Sequence, residues 1–101
     1  MKILLSGEFS DAMKKQPAKV IAEFIKAVDK LQDMAKPQIL LLDTVIELSS
    51  SDVKDKVYAY HISENCYTIF TFNPNNELLL IDYVQVHNNS ITALVYPSIT
   101  F

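Results

Sequence analysis

The chain has 101 residues, of which 50% are apolar and 21% charged, and a formal net charge of −3. We expect one globular domain over 1–101, because there is enough apolar surface to offset the entropy of ordering and to exclude a disordered chain. The single glycine excludes glycine-rich phosphate-binding loops. The absence of arginine removes the side chain best suited to bidentate phosphate recognition.

The charges are unevenly distributed along the sequence. All nine basic residues are lysines, and all of them precede Val57. From Val57 onwards the only formal charges are Glu64, Glu77 and Asp82, so this half of the chain carries the whole net charge of −3. A surface built from it is expected to repel phosphate rather than to bind nucleic acid.

Cysteine usage and hydropathy limit the cellular setting. Cys66 is the only cysteine, which excludes an internal disulfide and a cysteine-based metal cluster. No apolar run approaches the ~20 residues needed to cross a bilayer, and the apolar start is too short for a signal peptide. The sequence therefore predicts a cytoplasmic protein without membrane association, metal or small-molecule cofactor.

The first third of the chain predicts a strand and two helices. Residues 2–6 fit a short strand, and 8–15 have helical spacing of apolar residues. Pro17 suits the first position of a long amphipathic helix over 17–35, which Pro37 ends. The other face of this helix alternates lysines with acids, and Lys26 can pair with Glu23 or Asp29 at three-residue spacing. That face is expected to be solvated.

The remaining residues predict a sheet. Residues 38–48 are consistent with a strand or a helix, with part of the run favouring a strand, and 49–52 with a polar loop. Strands are then predicted at 57–62, 66–73, 77–86 and 91–96. Their short connections predict an antiparallel meander of successive strands. The fold class is α+β, with the long helix covering one face of the sheet.

The order of elements and several short motifs resemble the RelE/ParE toxin superfamily. Val57 to Ile62 resembles the family strand in which basic residues alternate, and Tyr67-Thr68-Ile69 resembles its Tyr-Arg-Ile strand. Leu78 to Ile81 resembles the following apolar strand, and Tyr96-Pro97 the C-terminal tyrosine. The resemblance implies a RelE-like domain and a cognate antitoxin as partner. It also implies ribosome-bound mRNA as the target of an endonuclease, or gyrase as in the ParE branch.

Basic residues are missing at the positions where the resemblance places the nuclease cations. The two basic positions of the first meander strand hold Ala59 and His61, and the arginine after the tyrosine is Thr68. The turn after the apolar strand has Asp82, Gln85 and His87. Because fixed positive charges stabilise the developing charge on phosphate, we expect weak or absent mRNA cleavage and action through protein contacts.

Four residues remain candidates for a catalytic site. His61 can serve as general acid or base, with Tyr67 nearby and Lys54 and Lys56 reaching in from the preceding loop. Strand alternation places His61 on the face of Ala59, opposite the face that bears its tyrosine neighbours. On this alternative the chain is an active ribosome-dependent mRNA interferase.

A further alternative belongs to a different class of protein. The acidic residues after Val57 are compatible with a small inhibitor or adaptor that binds a basic partner through an acidic sheet face.

Overall fold

The computed structural model describes residues 1–50, 56–63, 66–85 and 95–96.

Ser6, the residue before the first helix, caps that helix and connects it to the sheet. Strand β1 spans Ile3–Leu5 and helix α1 spans Gly7–Lys14. Ser6 is the N-cap: its hydroxyl accepts from the Phe9 N–H at 3.1 Å and donates to the Ile81 carbonyl at 3.2 Å. The cap therefore starts the helix and also ties it to the sheet.

Helix α2 spans Ala18–Gln32, three residues shorter at its C-terminal end than predicted. Pro17 precedes it as the N-cap, with extended backbone, instead of forming its first residue. The apolar stripe of the helix faces the sheet. Leu31 is 1% exposed, and the ring centroid of Phe24 lies 5.0 Å from that of the buried Phe9. Burial of this stripe holds the helix on the sheet.

The ambiguous middle segment contains a helix and a strand in succession. Helix α3 spans Lys36–Leu40, so Pro37 lies in the first turn of a new helix, where a proline costs no hydrogen bond. The Gln38 side chain supports this turn by accepting from the Ala35 N–H at 2.8 Å. Strand β2 follows at Val45–Ser50. The predicted polar loop is therefore wrong for residues 49–50, whose backbone pairs in the sheet, and its remainder lies outside the described residues.

Three of the predicted strands form the expected antiparallel meander. They are β3 at Val57–Ser63, β4 at Cys66–Phe72 and β5 at Leu78–Gln85. The last predicted strand differs: β6, at Val95–Tyr96, pairs parallel with β2. It does not extend the meander beyond β5, because the edge of β5 that faces away from β4 is paired with β1 in parallel register. The result is a mixed sheet with strand order β1-β5-β4-β3-β2-β6.

Alternation along the strands creates two buried clusters, one on each face of the sheet. The helix-side core combines helix residues with strand residues; its buried members are Phe9, Met13, Ala27, Leu31, Ile39, Tyr60, Phe70, Leu78 and Leu80. The outer-face core contains strand residues alone, and its buried members are Leu48, Val57, Ala59, Tyr67 and Ile69. The predicted division of β3 is confirmed, since its tyrosines join the helix side and Ala59 the outer face.

Helices of the length and apolarity needed to cross a membrane are absent from the described residues.

Candidate functional site

The outer face of the sheet brings two of the four predicted site residues together. His61 and Tyr67 are register partners on β3 and β4, and their rings stack with centroids 4.8 Å apart. Tyr67 is 6% exposed and belongs to the outer-face core, whereas His61 is half-buried. The His61 backbone N–H donates to the Thr44 carbonyl at 2.8 Å. The imidazole is thus held against a buried phenol at the margin of an apolar cluster.

Lys56 is directed to a different part of the sheet. Its Nζ lies 3.4 Å from Glu47 Oε1, and Glu47 pairs in register with Tyr58 on the helix-facing side of β3. His61 lies on the opposite face, so the structure does not bring this amine to the imidazole. Burial raises the pKa of Tyr58 above its ordinary value of 10.0; Glu47 raises it further and Lys56 opposes this. Lys54 lies outside the described residues.

At the positions matched to the family's basic residues, most of the side chains are buried in the core or hydrogen-bonded to the backbone. Ala59 is fully buried. Thr68 is 1% exposed, and its hydroxyl donates to the Asp82 carbonyl at 3.2 Å. Asp82 Oδ1 in turn accepts from the Tyr83 N–H at 2.8 Å. None of these side chains can supply a cation to a phosphate, and His87 lies outside the described residues.

A small polar cluster lies where β4 meets β5. The Tyr83 hydroxyl donates to Cys66 Sγ at 3.0 Å, and Gln85 Nε2 lies 3.9 Å from the same sulfur. Burial, and next the hydrogen bond to Cys66, raise the pKa of Tyr83 above 10.0. Cys66 is half-buried and its sulfur accepts hydrogen bonds from these side chains of the neighbouring strand.

An apolar groove lies between β1 and α2. It has a volume of about 260 Å³, and Phe24 and Val28 form part of its lining. Leu5 and Ile25 also line it and are 50% and 52% exposed. Helical periodicity assigns Ile25 to the buried stripe, whereas in the structure its side chain is half exposed at the groove. We call this feature the apolar groove.

A second groove, of about 240 Å³, lies on the other flank of α2, where the helix faces β3. Its rim is charged, with Glu23, Lys26 and Lys30, and its floor is formed by Ala27, Tyr60 and Ile62. The i,i+3 ion pairs expected for Lys26 are not formed. Ion pairs of the described residues are Lys2 with Glu77, Lys14 with Asp11, and Lys56 with Glu47. We call this feature the lysine-rimmed groove.

Neither groove could be located from the sequence. The signal that was present, an amphipathic α2 with mixed charges on its polar face, is common to most surface helices. Both grooves depend on how far α2 sits from β1 and from β3, and long-range packing sets those distances.

Clusters of three or more potential metal ligands do not occur within the described ranges. No family model matches the chain, and no curated protein or solved structure is significantly similar to it.

Proposed function

We propose that this chain is a RelE/ParE-type protein that acts by binding another protein, as the toxin-fold member of a toxin–antitoxin pair, with little or no mRNA cleavage. The observation that carries the proposal is the exposure of Leu5 and Ile25 in the apolar groove. Full burial of a large aliphatic side chain gains ~1.5–3 kcal/mol, so these two half-exposed side chains offer about 2 kcal/mol to a partner. An antitoxin segment that covers the groove would gain that burial.

The arrangement of elements supports the family part of the proposal. A short strand and three helices precede an antiparallel meander, and α2 covers one face of that meander. The resemblance implies a strand, two helices and a meander, so this order agrees with it except for the five-residue helix α3.

The distribution of charge supports protein contact over ribonuclease chemistry. Ala59 and Thr68 are buried at two positions where the resemblance expects cations, and the Lys56 amine is bound to Glu47. A single imidazole at His61 can transfer protons but does not replace several fixed positive charges. The assignment of His61, Tyr67, Lys54 and Lys56 to a nuclease site stays a prediction.

The acidic-adaptor alternative draws less support. The Glu77 carboxylate forms an ion pair with the Lys2 amine at 3.7 Å, and the Asp82 carboxylate accepts a hydrogen bond from the backbone N–H of Tyr83. Lys2 therefore offsets the charge of one of the three carboxylates that define the acidic half, which weakens the field that they present to a basic partner.

Co-purification with the protein encoded by the adjacent reading frame tests the proposal. Leu5→Lys and Ile25→Lys are expected to abolish the complex, because each places an ammonium group in an apolar contact. Leu41→Lys is the matched control, since Leu41 is 83% exposed and does not line the groove. A complex that forms equally well with all three variants, or the absence of any complex with the wild-type chain, contradicts the proposal.

A further inference from the structure

The lysine-rimmed groove combines unpaired positive charge with an apolar floor. We propose that it binds an acidic segment of a partner protein that also carries aliphatic side chains. This surface lies on the opposite flank of α2 from the apolar groove. It goes beyond the proposed function and does not depend on it.

The rim is short of negative charge. Lys26 and Lys30 are exposed and one helical turn apart, and their amines take part in no ion pair within the part of the chain that the structure describes. Like charges at i,i+4 repel, and one or two carboxylates of a bound segment would offset that repulsion. Glu23 offsets one of the two lysines and leaves the rim with a net positive charge.

The floor selects aliphatic side chains. Ala27 and Tyr60 are 8% and 5% exposed, so the apolar surface at the base of the groove comes mainly from Ile62, which is half-buried. A volume of about 240 Å³ is below the ~300–1,000 Å³ of ordinary small-molecule sites. One or two aliphatic side chains from a protein segment suit this space, with carboxylates next to them reaching the rim.

The same features disfavour nucleic acid. Base stacking requires an exposed aromatic face, and the ring of Tyr60 is almost entirely covered.

Fluorescence anisotropy with three labelled peptides tests the inference. The first peptide has Leu at every fourth position and Glu elsewhere. In the second Leu is replaced by Ser, and in the third Glu is replaced by Lys. A labelled uridine oligonucleotide is the fourth probe. The protein variants are the double charge reversal Lys26→Glu with Lys30→Glu and, as a control of equal charge, Lys14→Glu with Lys15→Glu at the C-terminal end of α1.

The Glu/Leu peptide is expected to bind the wild-type chain at least tenfold more tightly than the other two peptides. The reversal of Lys26 and Lys30 is expected to weaken this binding at least tenfold, and the reversal of Lys14 and Lys15 to leave it within about twofold. The inference fails if the Glu/Leu peptide does not bind, or if both double variants weaken it equally. Oligonucleotide binding that is lost on reversal of Lys26 and Lys30 also overturns it, by assigning the lysines to phosphate.

Discussion

Replacing Ile69 by Ala tests whether the outer face of the sheet is a core in energetic terms. Ile69 is fully buried and lies between Ala59 and Asp82 in the register of the sheet. The change removes three carbon atoms, worth ~0.8 kcal/mol each by transfer, and adds the cost of the cavity left behind. We expect a loss of about 3 kcal/mol, a large fraction of the ~5–15 kcal/mol by which such domains are stable.

Urea unfolding followed by circular dichroism measures this loss as a lower midpoint at unchanged slope. Leu80→Ala in the helix-side core is expected to cost a similar amount, because Leu80 is equally buried. Ile25→Ala is the control: Ile25 is 52% exposed, so the same three carbon atoms are only half buried and their loss should cost about 1 kcal/mol. If Ile69→Ala behaves like Ile25→Ala, the outer face is open to water and the assignment of a second core is refuted.

Three further measurements address the cap, the tyrosine cluster and the imidazole. Ser6→Ala is expected to lower the free energy of unfolding in urea by about 1 kcal/mol, because it removes the helix cap. Ser10→Ala is the control, and an equal loss for both variants would contradict the role of the cap. The raised pKa of Tyr83 contributes stability that is fully present below pH 10.0 and is lost as pH rises through the folded-state value. Tyr83→Phe should therefore make stability fall less steeply above that pH, and an unchanged profile would show that its phenol and Cys66 are not coupled to folding. In a ribosome-dependent translation assay read by primer extension, the wild-type chain is expected to cleave mRNA poorly and His61→Ala to change little; robust cleavage that this variant abolishes would restore the interferase alternative.

The sequence predicts elements whose signal is local. Helix α2 follows from apolar residues at three- and four-residue steps. Strands β3 to β5 follow from β-branched and aromatic runs separated by turn residues. One such turn has the chemistry expected of asparagine, since the Asn73 side chain accepts from the backbone N–H groups of Asn75 and Glu77. These elements can be predicted from the local sequence alone, without information on their tertiary contacts.

Features that depend on distant partners could not be predicted. The apolar run around Ile39 has no single period, because it includes the end of one helix and the start of a strand. The parallel pairings of β1 with β5 and of β6 with β2 join segments far apart in sequence, and local patterns do not report such pairings. For the candidate site, sequence could place His61 on the face of Ala59, but the ion pair of Lys56 with Glu47 depends on the register of β2, which periodicity does not report.

The parallel pairing of β1 with β5 has a consequence for when the domain can fold during its synthesis. Ile3 pairs with Leu78, so an interval of chain synthesis passes between the appearance of β1 and that of its partner strand β5. At ~5–20 residues per second, that interval is about 4–15 s. Throughout it the apolar face of α1 lacks its contact with β5, and of the partners described above only α2, through Phe24, is already present. We expect the nascent protein to depend on chaperones during this interval, and to reach its folded state in one late step rather than helix by helix.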